Sequence, residues 1–88
     1  MNNGNSGKET VTVLAPLAGV CYLQAAPDEP PYVSLGDEVK KKQVLALLET
    51  MKVFQKIKSP VNGRVVEIFA KNETAMNDSE VMFVIEQG

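Results

Sequence analysis

The chain repeats itself, and the repeat limits what it can fold into. Ala15-Pro16-Leu17-Ala18-Gly19 aligns with Ser59-Pro60-Val61-Asn62-Gly63, and Val13 with Ile57, at an offset of 44 residues. Further on, Val39 and Val44-Leu45-Ala46-Leu47-Leu48-Glu49 align with Met76 and Val81-Met82-Phe83-Val84-Ile85-Glu86 at an offset of 37. Each copy is a series of short apolar runs bounded by Gly, Pro and Asn, the pattern of strands joined by turns. No segment carries a convincing helical period. Two copies of a four-strand unit predict an all-β fold: a flattened barrel or sandwich of two four-stranded antiparallel sheets, with Glu49 lying over Glu86 and Pro16 over Pro60.

The same alignment suggests a core. Leu14, Leu45, Leu47, Ile57, Val65, Phe83 and Ile85 are expected to be mainly buried. Met76 and Met82 occupy the repeat positions of Val39 and Leu45, so both should fill core space. Cys21 sits in an apolar run and reads as a small buried hydrophobe, not a reactive thiol. Gly19 and Gly63, the latter preceded by Asn62, are expected at turns that need positive φ.

The offset falls from 44 to 37, so the first copy holds seven extra residues between Gly19 and Val39. Ala25-Ala26-Pro27-Asp28-Glu29-Pro30-Pro31-Tyr32 is the expected location, because proline has no N–H to give to a ladder. A stiff, protruding loop at about residues 25–32 follows. Residues 1–9, rich in Asn, Gly and Ser, read as a disordered tail or an expression remnant ahead of a single domain over 10–88.

Between Val44-Leu45-Ala46-Leu47-Leu48 and the alternating run Val53 to Lys58 lies Glu49-Thr50-Met51-Lys52-Val53. A tight turn between two such strands pushes its central side chains into solvent. Met51 and Lys52 would be presented there, and a lysine so placed suits covalent modification because a second enzyme can approach its amine. An isolated exposed lysine is ordinarily a solvated charge. Hairpin, repeat and motif together single this one out. By contrast, Lys40-Lys41-Lys42, Asp28 and Glu29 read as surface charge.

Composition removes other classes. With 88 residues there is one small domain and no room for a deep active site. Nine basic against eleven acidic residues, net charge −2, argue against a partner held by phosphate contacts. There is no histidine and Cys21 is the only cysteine, which excludes a disulfide framework, a Cys/His zinc site and a His-activated nucleophile. Nor does any paired-carboxylate site stand out. No apolar run reaches the ~20 residues of a bilayer span, and no signal-peptide pattern precedes the domain. We expect a cytoplasmic protein that is not an enzyme by itself and contacts neither nucleic acid nor membrane.

The hairpin motif resembles the attachment sequence of biotinyl and lipoyl carrier domains, in which a lysine at a hairpin tip carries the cofactor. The methionine before Lys52 matches the biotinyl form, Glu-Ala-Met-Lys-Met, whereas lipoyl domains usually have aspartate there; Thr50 and Val53 are common in lipoyl motifs. Ala15-Pro16-Leu17-Ala18-Gly19-Val20-Cys21-Tyr22, then Pro27-Asp28, then Val33-Ser34-Leu35-Gly36-Asp37-Glu38-Val39 is similar to the thumb-containing biotin carboxyl carriers of bacterial acetyl-CoA carboxylase, over about residues 11–86. The resemblance implies a barrel-sandwich hybrid fold and biotin bound covalently on Lys52, within the motif residues Glu49, Thr50, Met51 and Val53. It implies three partners: a biotin protein ligase, a biotin carboxylase and a carboxyltransferase acting on an acyl-CoA. It makes residues 25–32 a thumb folded toward the hairpin, with Pro30, Pro31 and Tyr32 the candidates to touch the biotin ring. The alternatives are a lipoyl carrier of a 2-oxoacid dehydrogenase or glycine-cleavage-like system, and an unmodified interaction domain of the same fold.

Overall fold

The computed structural model describes residues 9–51 and 53–88; residues 1–8 of the expected tail, and Lys52, lie outside them. The described residues form eight strands: β1 (Thr10–Leu14), β2 (Gly19–Tyr22), β3 (Glu38–Val39), β4 (Val44–Glu49), β5 (Phe54–Lys58), β6 (Gly63–Ile68), β7 (Thr74–Met76) and β8 (Val81–Gln87). They build two four-stranded sheets, ordered β1-β8-β6-β3 and β5-β4-β2-β7, with antiparallel pairing throughout. Adding four to each label turns the first order into the second, with β8 returning to β4. The repeat is therefore the architecture.

Register extends the equivalence to single residues. Val13 pairs with Phe83 as Ile57 pairs with Ala46, and Val20 pairs with Glu49 as Arg64 pairs with Glu86. Turns agree as well. Gly36 (φ 91) and Glu73 (φ 58) are equivalent, as are Lys42 (φ 76) and Ser79 (φ 69). The Gly36 N–H bonds Val65 O at 2.8 Å, and the Glu73 N–H bonds the equivalent Cys21 O at 2.6 Å. Glycine adopts this left-handed region without a Cβ penalty, and Glu73 adopts it with one.

One face of each sheet is apolar, and the two faces meet. Val13, Cys21, Val39, Leu45, Ala46, Leu48, Ile57, Val65, Met76, Met82, Phe83 and Ile85 form a continuous buried cluster, each large side chain contributing about 1.5–3 kcal/mol of transfer free energy. Leu45, Ile57, Val65, Phe83 and Ile85 are buried as the pattern predicts, with Met76, Met82 and Cys21 beside them.

Three expectations fail. Leu14 is 46% exposed. The β1–β8 register shifts between Val13 and Leu14, and the repeat partner of Leu14 is the exposed Lys58, so this position faces outward in both copies. Leu47 is only half-buried, because it alternates with buried Leu48 and faces outward beside Tyr22, its cross-strand partner. Gly19 and Gly63 do not have positive φ. They are needed for close approach: a Cβ on Gly19 would stand 2.5 Å from the carbonyl oxygen of Glu49, and one on Gly63 would overlap that of Glu86. Asn62, expected to make the turn, instead accepts the Lys41 N–H on its Oδ1 at 2.8 Å.

A candidate modification site at the β4–β5 hairpin

β4 and β5 converge on the motif. Glu49 is the last residue of β4 and pairs with Phe54, the first of β5. Beyond that pair the Thr50 N–H bonds Val53 O at 2.9 Å, and the Thr50 hydroxyl donates to the same oxygen at 3.2 Å. The turn is thus closed one residue before Met51 and opened one residue after Lys52. Met51 is 98% exposed and Val53 54%. Met51 therefore takes no part in the core and is fully available at the tip. Lys52 lies outside the described residues, so its neighbours define the site: Glu49, Thr50, Met51 and Val53 come together at one tip.

Two concavities flank this tip. The first is an open cleft lined by Ala18, Gly19, Val20, Glu49, Thr50, Met51, Ala75 and Met76. The second is a groove of about 390 Å³ between the outer face of β2–β4–β5 and the insert, lined by Tyr22, Leu47, Glu49, Phe54, Asn72 and Glu73, with Ala25, Ala26 and Pro27 as the far wall. The loop from Gln24 to Tyr32 makes that wall. Its base is closed by the Gln24–Pro31 bridge and by the Tyr32 N–H on Leu23 O at 2.9 Å. The Gln24 amide donates to Ala26 O at 2.7 Å and Pro27 O at 2.9 Å, and the Leu23 N–H is held by Asn72 Oδ1 at 2.7 Å. Pro30 and Pro31 are exposed and Tyr32 half-buried; the groove beside the tip is walled by the first half of the loop.

Sequence reasoning missed Tyr22 and Phe54. The Tyr22 hydroxyl donates to Glu49 Oε1 at 2.8 Å, and its ring lies 6.0 Å from that of Phe54. That hydrogen bond, then burial, then the charges of Glu49 and Glu73, push the Tyr22 phenol above its ordinary pKa. The signal was present in the repeat: the positions at the 44-residue offset, Val66 and Thr10, are not aromatic. Cys21 behind Tyr22 is fully buried, and burial pushes its thiol up to about 11, so it holds its proton at neutral pH and is no nucleophile. Among the described residues no group of His, Cys, Asp and Glu could hold a metal ion, and no helix is long and apolar enough to cross a membrane.

The described residues thus form a duplicated eight-strand sandwich that holds one motif-bearing hairpin out into solvent. Residues 11–85 match the biotin/lipoyl family, described as "Biotin-requiring enzyme", and the chain belongs to that family. It is similar to the biotin carboxyl carrier protein of acetyl-CoA carboxylase from Streptococcus pyogenes, 49% identical over 61 residues, covering 69% of this chain and 37% of that protein. A chloroplastic protein of the same description from Arabidopsis thaliana is 40% identical over 75 residues, covering 85% of this chain and 27% of that one. The chain therefore spans about a third of the length of these relatives. The fold recurs in a single-chain, multi-domain long-chain acyl-CoA carboxylase (TM-score 0.73, 17% identity, all of this chain and 8% of that one). It recurs also in the urea carboxylase of Kluyveromyces lactis (TM-score 0.72, 18% identity, 97% of this chain and 7% of that one).

Proposed function

We propose that the chain is a biotin carboxyl carrier domain, itself non-catalytic, that bears biotin on Lys52. The observation that carries this is the exposed hairpin tip with Met51 before the lysine, in a member of the biotin/lipoyl family. The relatives named as carriers of acetyl-CoA carboxylase support the same reading. A biotin protein ligase activates biotin as the acyl-adenylate. The lysine amine attacks the acyl carbon, the amide bond forms as the acyl–phosphate bond breaks, and AMP and a proton leave. A free lysine amine is protonated at neutral pH, so deprotonation and alignment belong to the ligase. A biotin carboxylase then loads the ring, and a carboxyltransferase passes the carboxyl group to an acyl-CoA, with acetyl-CoA the substrate we favour.

The chain's own contribution is a rigid scaffold, an outward tip and a surface that successive partners read, while tethering raises the local concentration of biotin at each site. Pro30, Pro31 and Tyr32 remain the insert's candidates for contact with the biotin ring, on a loop whose first residues wall the groove at the tip. A reducing, cytoplasmic setting belongs to this reading and suits the unpaired Cys21.

Co-expression with a biotin ligase and intact mass measurement tests the reading. The expected result is one biotin per chain, absent in Lys52→Ala, with peptide mapping placing it on Lys52. Biotin on Lys40, Lys41 or Lys56 overturns the assignment. Thr50 and Val53 favour a lipoyl reading; lipoylation of Lys52 in place of biotin, with Met51→Asp unchanged in behaviour, would establish that reading instead.

A further inference from the structure

We propose that Tyr22 is a positioning residue for the modification, holding the Glu49 carboxylate at the shoulder of the turn where a ligase reads the motif. The inference rests on the biotin reading above and deepens it. Tyr22 touches both legs of the hairpin: its hydroxyl donates to Glu49 Oε1 at 2.8 Å, and its ring leans on Phe54 at 6.0 Å and 54°. Glu49 and Phe54 are themselves cross-strand partners. One side chain on the neighbouring strand β2 therefore braces the last ladder pair before the turn.

The second copy shows what this backbone needs when it has no motif to present. There Glu86 pairs with Thr10 as Glu49 pairs with Phe54, and where Tyr22 pairs with Leu47 the second copy has a register shift that leaves Val66 unpaired and sets Glu67 opposite Val84. The acid is kept, but neither a phenol nor an aromatic pair is available to hold it. Closure of the strand ends survives this loss, since the Gln87 N–H bonds Glu9 O at 2.8 Å, the counterpart of Thr50 on Val53. The brace is thus not a requirement of the fold. It occurs in the copy that carries the tip. A half-exposed glutamate without a fixed donor samples several rotamers, and a hydrogen bond from a phenol to the charged carboxylate selects one. The raised phenol pKa, caused first by this bond, agrees with it.

The test is the rate of biotinylation of the full chain by a biotin protein ligase with ATP and biotin, followed by intact mass. Tyr22→Phe removes the hydroxyl and keeps the ring. We expect kcat/KM to fall about fivefold, that is ~1 kcal/mol by the RT conversion, through a higher KM with kcat and Tm unchanged. In a Glu49→Ala background, Tyr22→Phe should cause no further loss. The phenol can be titrated alone by ultraviolet absorbance in Tyr32→Phe, and its pKa should fall when Glu49→Ala is added. A Tyr22→Phe variant with wild-type KM, a loss that follows a lower Tm, or an equal loss in the Glu49→Ala background overturns the inference and leaves the biotin reading intact. A wild-type chain that takes no biotin overturns both.

Discussion

At one end of the molecule β4 turns into β5 through Thr50 and Val53; at the other, the equivalent positions are Gln87 and Glu9, where the chain leaves and enters the sandwich. β4 runs between the two. Gln43, just before it, lines the terminal cleft and Glu49 lines the hairpin cleft, and the six residues of the strand span about 20 Å at 3.4 Å per residue. The clefts are built by equivalent backbone and lined by different side chains. The terminal cleft has Glu38, Lys40, Asn62, Arg64 and Glu86. Its counterpart at the hairpin has Ala75, Asn77, Ala18, Val20 and Glu49. The terminal end carries an exposed Arg64–Glu38 pair at 4.0 Å, which contributes little in water. Its hairpin counterpart, Val20 with Ala75, has no charge at all. The same backbone scaffold thus carries several charged side chains in the cleft at one end and, of the described residues lining the cleft at the other, Glu49 alone.

This view makes the interior common property and the surface the place where the copies differ. The sharpest way to break it is through the core. Leu48 and Ile85 are equivalent, fully buried, and pair with the equivalent Cys21 and Val65. Truncating either to Ala should cost about 2–5 kcal/mol, measured by urea unfolding, and the two losses should agree within ~1 kcal/mol. If Leu48→Ala proves far milder than Ile85→Ala, the hairpin half is loosely packed and the copies are not energetic equals.

A smaller effect is expected at the glycines. Gly19→Ala and Gly63→Ala each aim a methyl at a backbone carbonyl, of Glu49 and Glu86, which cannot rotate away as a side chain could. Each should destabilise by about 1–3 kcal/mol in thermal unfolding, with Gly63→Ala the worse because the approach there is closer. Gly19→Ala should in addition slow modification of the hairpin, since the carbonyl it displaces belongs to the residue that opens the motif. Equal biotinylation of both variants would mean that the position of Glu49 backbone does not matter to recognition.

These glycines show where sequence reading stops. The two offsets already contained the division into two equivalent four-strand units and the residues that match between them, because a duplicated strand pattern is a local signal written twice. What the offsets could not convey is contact across strands. Asn62-Gly63 looks like a turn dipeptide because turn propensity is local, whereas the reason for Gly63 is a carbonyl on β8. Leu14 was misread from its apolar character, although its repeat partner Lys58 marks an outward position. Tyr22 and Glu49 are 27 residues apart and meet only because β2 and β4 are neighbours. The hairpin motif itself was legible because a turn must show its central residues, and Met51 does so in full.

The smallest effect concerns Cys21, whose repeat equivalent is Val65; both are fully buried. The second copy thus shows a branched apolar side chain, larger than cysteine by about one methyl group, at the same place in the core. Cys21→Val should cost about 1 kcal/mol at pH 7, the low end of small-to-large core changes. The two proteins should part in alkali. Burial raises the thiol from 9.0 to about 11 in the folded chain. Between those values the unfolded chain has released the proton while the folded chain keeps it, so the folded state binds more protons and unfolding becomes easier as pH rises. The contribution is fully present below pH 9 and is lost progressively toward pH 11. Tyr22, also raised, adds a loss of the same sign in both proteins, so the difference between them isolates the thiol. Urea unfolding at pH 8 and pH 10 should show a stability gap that moves in favour of Cys21→Val as pH rises. A gap that stays constant would mean that the thiolate is accommodated without cost, and that the interiors of the two copies are less alike than their register.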